Sequence, residues 1–90
     1  MAEPVVVEVV PFPGPEVFGA GKENDYVLLV GAALVLRGKK YRDLYKEGPS
    51  RTWSSVDQAA VKAFQEDQGW KGTDADGIPG KKTWGLLGLG

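Results

Sequence analysis

Residues 64–84 decide the fold, and they read FQEDQGWKGTDADGIPGKKTW. The first part ends an amphipathic segment at Gly69, a residue type that commonly terminates helices. The middle part, 71–80, is rich in Asp, Gly and Pro and predicts a loop of consecutive turns. The last part predicts two helical turns that place Trp84 and Leu87 on one side. We therefore expect a helix, a turn-rich loop and a short second helix.

The segment before Gly69 has the clearest helical period in the chain. Its apolar residues recur at spacings of three and four and so share one face: Val56, Ala59, Ala60, Ala63 and Phe64. Ser55, with Gln58 three residues later, predicts a capping box at the start of this helix. Phe64 and Trp84 are expected to form the centre of a small core, since each ring buries about 150–250 Å².

A second apolar segment, 26–36, lies nearer the N-terminus. Asn24 and Asp25 are typical of a helix start, and Arg37 followed by Gly38 is typical of a helix end. The high content of β-branched residues leaves a buried strand open as an alternative. Length and both end signals favour a helix.

The two remaining parts of the chain have no helical period. Residues 1–17 are rich in Pro and Val and predict an extended linker before a domain at 18–90. A short edge strand at Val5–Val10 remains an alternative. Residues 39–53 predict a long loop with one helical turn near 42–46, and loops of this length are often functional.

Composition excludes several classes of function. Ninety residues form one domain at most, and no cysteine is present to supply a disulfide. The formal net charge of −1 argues against a nucleic-acid partner, because such proteins usually carry a basic excess. The longest uncharged apolar stretch has 11 residues, short of the about 20 that span a bilayer, so we expect no membrane partner.

Catalysis is also disfavoured. The chain has no histidine and no cysteine, which removes the usual nucleophile–base pairs and nearly every zinc-hydrolase site. The adjacent acids Glu66 and Asp67 point about 100° apart on a helix and cannot flank one bond; we expect a solvated face there. We therefore predict no enzyme activity and no cofactor.

A calcium site is tempting at Asp74 and Asp76 but fails in detail. If Gly77 is the sixth loop position, Gly72 and Thr83 occupy positions 1 and 12, where an EF-hand requires acidic residues. We expect Asp76 instead to bond the backbone of its turn, with Gly77 at positive φ. No metal is predicted.

The order FQ…GW…DG.PG…TW resembles the peptidoglycan-binding module of bacterial and phage cell-wall hydrolases, in the variant typical of actinobacterial and actinophage lysins. The resemblance extends over about Phe18 to Leu87 and is less secure in its first half. It implies an all-α domain of three helices that binds peptidoglycan and anchors a covalently linked lytic enzyme at the cell wall. Met1–Pro4 lacks a secretory start, so we expect an excised module or delivery by phage lysis.

The aromatic residues in and beside the loops are the candidate ligand contacts, because indole and phenol rings can stack on sugars or peptides. An arginine fork suits a carboxylate. The predicted site is a shallow groove between the 41–53 loop and the 70–79 turn, with these residues: Tyr41, Tyr45, Arg51, Trp53, Trp70 and Asp76. By analogy with the family, Gln65 reaches the loop backbone; a solvated position is the alternative. A protein-interaction domain of the same fold is the alternative function.

Overall fold

The computed structural model describes residues 10–90, and these residues are mainly helical. The helices are α1 (Asp25–Arg37), α2 (Lys39–Arg42), α3 (Ser55–Asp67) and α4 (Lys81–Leu86), with 3-10 turns at Pro15–Val17 and Gly72–Ala75. Within the described range there is no strand, only an isolated bridge between Glu23 and Thr52. The all-α class is confirmed. The stretch Val5–Val9, on which the edge-strand alternative depends, lies outside the described residues.

Helix α1 forms where its end signals predict. The Asn24 side chain accepts a hydrogen bond from the Val27 amide at 3.1 Å and donates one to the Val17 carbonyl at 2.9 Å. The helix stops at Gly38, and Val27, Val30 and Leu34 are fully buried. The strand alternative is therefore wrong for this segment, because the cap and the tertiary contacts both select a helix.

Helix α3 starts one residue earlier than its predicted capping box requires. The N-cap is Ser54 rather than Ser55, and its partner at the third position is Asp57 rather than Gln58. The Asp57 carboxylate accepts from the Ser54 amide at 2.8 Å and from the Tyr45 hydroxyl at 3.0 Å. A buried acid needs such donors, so the contact with Tyr45 selects this register.

The segment 39–53 is more ordered than the predicted loop. Its helical turn is α2, directly after α1, and not near 42–46. Two phenol hydroxyls then tie the segment to α3, that of Tyr41 to Asp67 and that of Tyr45 to Asp57. Asp67 additionally accepts from Lys40 at 2.7 Å, while Glu66 and Asp67 are both exposed, as the prediction of a solvated face requires.

The core is centred on the two predicted rings. Phe64 and Trp84 are each 1% exposed. Phe18 and Phe12 pack at tilted angles against the indole of Trp84, with ring centroids 6.2 and 5.9 Å away, and Tyr41 packs edge-on against Phe64 at 5.8 Å. The predicted core role of both residues is confirmed.

The described part of the predicted linker lies along this core. The indole nitrogen of Trp84 donates to the Val10 carbonyl at 2.7 Å, and the Val10 amide donates to the Leu89 carbonyl at 2.9 Å. Phe12 and Val17 are partly buried against the core cluster. Residues 10–17 therefore contribute to the packing of the helices that follow.

Candidate binding groove

Gln65 organises the region between α3 and α4. Its side chain is buried, with the residue 2% exposed. Its Oε1 accepts from the Gly77 amide at 2.9 Å, and its Nε2 donates to the Ile78 carbonyl at 3.0 Å and to the Thr83 hydroxyl at 3.2 Å. One side chain on α3 thus bonds both the loop and the first turns of α4. The expectation that Gln65 reaches the loop backbone is confirmed.

The bend at Asp76–Gly77 has the geometry predicted for it. Asp76 Oδ1 accepts from the Ile78 amide at 2.9 Å, and Gly77 has a φ of 86°. A Cβ at Gly77 would lie 2.6 Å from Cγ and 2.8 Å from the carbonyl oxygen of Gln58. Glycine is required at this position for two reasons. Its φ is positive, and α3 approaches the loop too closely to leave room for a Cβ.

A groove of about 420 Å³ opens where this bend meets α4. It is lined by Pro15, Gln65, Trp70, Thr73, Asp74, Asp76, Ile78, Pro79, Gly80, Lys81, Lys82 and Thr83. Trp70 is partly exposed there, and the ammonium of Lys82 lies 5.0 Å from the centroid of its ring. Because Gln65 holds both the bend and α4, it also holds the shape of the groove.

Two of the six predicted contact residues, Trp70 and Asp76, lie in this groove. Their role in binding stays a prediction, but the structure brings them together on one surface. The other members of the predicted set come from the segment 41–53, and no residue of that segment lines this groove. A separate cavity beside Tyr45 contains no residue of 70–79. The expected groove between the two segments is therefore replaced by two separate depressions.

The three aromatic residues of the 41–53 segment are mostly buried. Tyr41 is 8% exposed, and Tyr45 and Trp53 are each 7% exposed. Trp53 packs on Phe18 with ring centroids 6.0 Å apart. Their rings contribute to the core of a small domain, and little of their surface remains for a ligand.

Arg51 is exposed, but its guanidinium group is paired with two acidic side chains of the same chain. Its Nε lies 2.6 Å from Asp25 Oδ1, and a terminal nitrogen lies 3.7 Å from Glu23 Oε1. These contacts hold the segment 51–53 against the start of α1, beside the bridge between Glu23 and Thr52. A ligand carboxylate would have to displace them.

The raised pKa values of the two buried phenols, Tyr41 and Tyr45, agree with a structural role. Burial, followed by the hydrogen bond to Asp67, raises the pKa of Tyr41 to about 12. Burial, followed by the nearby charge of Asp57, raises the pKa of Tyr45 above its ordinary value. Hydrogen bonds from Lys40 and then Tyr41 lower the pKa of Asp67. Near neutral pH both hydroxyls therefore stay protonated and can donate their hydrogen bonds.

Three charged residues of the groove were not among the predicted contacts. Asp74 was interpreted as a turn former after a calcium site had been rejected, and Lys81 and Lys82 were interpreted as the start of a short helix. Charge is the one local signal that could have indicated them, because two adjacent lysines follow a pair of acids within eight residues. Their common location depends on the turn that Gln65 holds.

Comparison of the chain with protein-family models, with curated proteins and with solved structures finds no match in any of the three. Among the helices of residues 10–90, none is long and apolar enough to cross a membrane. The same residues contain no group of three or more acidic side chains placed to hold a metal ion. Function therefore has to be inferred from the chain's own residues and their geometry.

Proposed function

We propose that this chain is a non-catalytic module that binds bacterial peptidoglycan through the groove beside Trp70. The observation that carries this proposal is the common location of the residues of the FQ…GW…DG.PG…TW pattern. Gln65 bonds Gly77 and Ile78, Asp76 closes the bend, and Trp70 lies in the groove above them. Six residues of this pattern line the groove, namely Gln65, Trp70, Asp76, Pro79, Gly80 and Thr83, while Phe64 and Trp84 are buried in the core. The part of the motif that lines one groove supports recognition.

The groove has the properties of a small-ligand site. Its volume of about 420 Å³ falls within the about 300–1,000 Å³ of typical ligand pockets. It combines one indole ring with hydroxyl, carboxylate and ammonium groups, which is the mixture that orients a polar ligand. Hydrogen bonds from Gln65 hold its floor, so ligand binding would require little ordering of the backbone.

The module would act by anchoring a covalently linked lytic enzyme to its substrate at the cell wall. Tethering raises the effective concentration of the catalytic domain near its substrate, so a shallow groove with modest affinity suffices. The Pro- and Val-rich segment before Phe18 is the candidate connection. Its described part, residues 10–17, lies along Trp84.

Co-sedimentation with purified sacculi tests the proposal. The chain is expected to pellet with sacculi, and Trp70→Ala is expected to stay mostly in the supernatant. Leu36→Ala is the control, because Leu36 is 87% exposed and does not line the groove. Both variants must retain the wild-type far-UV circular dichroism. Absence of wild-type binding to sacculi from any bacterium would refute the proposal.

A second candidate function, a protein-interaction domain, is favoured by the apolar surface of α1. Leu28 and Leu36 are exposed on it, at 36% and 87%, and a shallow depression lies between this helix and Leu87–Leu89. Isolated exposed leucines are common on monomers, so this observation has less weight than the groove. If the second function is correct, Leu36→Asp abolishes association with a protein partner while Trp70→Ala does not.

A further inference from the structure

The groove beside Trp70 carries charges of both signs, and none of them forms an ion pair with another residue of 10–90. Asp74 and Asp76 enter it from the loop, and Lys81 and Lys82 enter it from α4. The ion pairs within residues 10–90 join Lys39 to Asp43, Lys40 to Asp67, and Arg51 to Glu23 and Asp25. None of these pairs includes one of the four charged residues of the groove.

The hydrogen-bonding capacity of these groups is also available. Asp76 uses Oδ1 for the Ile78 amide, and a carboxylate accepts at about four sites on its two oxygens. Within residues 10–90, the ammonium of Lys82 lies over the face of the Trp70 ring and forms no ion pair. Such a cation can bind an anion while it remains over the ring.

The position of Lys82 bears on which part of peptidoglycan can be recognised. Stacking of a sugar requires an open face of an aromatic ring. One face of Trp70 is covered by Lys82, while Trp53 and Trp84 are 7% and 1% exposed. Within the groove, a sugar could therefore stack only on the face of Trp70 that Lys82 leaves uncovered, whereas a charged ligand meets charged side chains from both the loop and α4.

We propose that the groove recognises the peptide stem of peptidoglycan, specifically a short peptide that carries both a free amine and carboxylates. The ammonium group of the ligand pairs with Asp74 and Asp76, and a ligand carboxylate pairs with Lys81 and Lys82. The acetylated sugars of the glycan strand carry no free amine and leave the two acids without a partner. This inference rests on the proposed function, because it identifies the recognised part of the same polymer.

Two pairs of variants test the charges. The first pair, Asp74→Asn with Asp76→Asn, removes the acids, and Asn retains the side-chain oxygen that accepts from the Ile78 amide. The second pair, Lys81→Gln with Lys82→Gln, removes the cations. The matched control combines Lys62→Gln with Glu66→Gln, two exposed charges on α3 outside the groove. Each protein must unfold at the wild-type temperature within about 3 °C.

The ligands are intact sacculi, glycan strands freed of stems by an amidase, a free stem peptide that contains diaminopimelate, and the same peptide acetylated on its amine. The free peptide is titrated by tryptophan fluorescence, because Trp70 lies in the groove and the other two indoles are buried. We expect each charge-removing pair to weaken binding to sacculi and peptide about tenfold, since each exposed ion pair contributes only a few-fold. The control pair should bind like the wild type.

The outcomes separate this inference from the proposed function. Strong binding to intact sacculi and weak binding to stripped glycan and acetylated peptide support the stem as ligand. Equal binding to intact sacculi and to stem-free glycan strands, or no effect of the four charge changes, overturns the inference while peptidoglycan binding stands. Absence of binding to intact sacculi refutes the proposed function, and the fluorescence titration then decides independently whether the groove binds the peptide.

Discussion

Replacement of Gly77 by alanine is expected to destabilise the domain far more than the same change at Gly69. The two glycines have almost the same backbone conformation, with φ values of 86° and 89°. Any L-residue pays a similar penalty at both positions, about 1–2 kcal/mol. A Cβ at Gly69 meets no heavy atom within 4 Å, whereas one at Gly77 lies 2.6 and 2.8 Å from two atoms of Gln58.

The extra cost at Gly77 is that of overpacking, about 1–3 kcal/mol. The Gln58 side chain can rotate away from the new methyl group, but its carbonyl oxygen belongs to the backbone of α3 and cannot. We therefore expect Gly69→Ala to cost about 1–2 kcal/mol and Gly77→Ala about 2–5 kcal/mol. For a domain of this size each kcal/mol lowers the midpoint of thermal unfolding by about 4–8 °C.

Thermal and urea unfolding followed by circular dichroism measure both variants. Adding Gln58→Ala to Gly77→Ala removes the contact with Cγ but leaves the contact with the carbonyl oxygen, so we expect partial recovery of stability at most. Equal losses for Gly69→Ala and Gly77→Ala would refute the reasoning, because they would show that α3 does not approach the bend closely. Full recovery by Gln58→Ala would show that only the side chain restricts the site.

Three further predictions concern other parts of the fold. Gln65→Leu removes the partner of the buried Gly77 amide and Thr83 hydroxyl and of the part-buried Ile78 carbonyl, and it should cost about 3 kcal/mol or more in urea unfolding. Gln68→Leu, at an exposed position where the side chain makes one bond, to the Phe64 carbonyl, should cost about 1 kcal/mol or less. Gly31→Ala should lower the unfolding temperature, because the new Cβ would lie 2.7 Å from the Cβ of Pro49. This close contact outweighs a gain in helix propensity of about 1 kcal/mol. An unchanged unfolding temperature would contradict this prediction. The pKa of Asp67 is lowered in the folded protein, so the ionised carboxylate contributes stability above its ordinary pKa, and this stability is lost as the pH falls through the lower folded value. Asp67→Asn should therefore flatten the fall in stability below about pH 4. An unchanged slope would show that the ion pair does not contribute.

Most helix positions could be predicted because their signals are local. Asn24 caps α1 through a bond to an amide three residues away, and Gly69, at positive φ, follows the end of α3. The bend at Asp76–Gly77 depends on a bond across two residues. Interactions this short depend on residue type and spacing, and both are visible in the sequence.

The predicted start of α3 and the predicted helical turn after α1 were wrong, because both depend on contacts between residues far apart in the chain. Ser54 and Ser55 are equivalent as caps by local preference, and the choice between them depends on Asp57, which the Tyr45 hydroxyl reaches from 12 residues away. The bond from Tyr41 to Asp67 spans 26 residues. No local pattern indicates which acid a tyrosine will meet after the chain has folded.

The sequence by itself determined the helical class, the two rings of the core and the bend at Asp76–Gly77, because period, caps and turn residues act over a few positions. Only the tertiary structure decided which aromatic residues remain accessible. Tyr41, Tyr45 and Trp53 turn inward because a domain of 90 residues has few other large side chains to fill its core. Trp70, which follows the end of α3, stays at the surface, where the loop and α4 bring charges of both signs beside it.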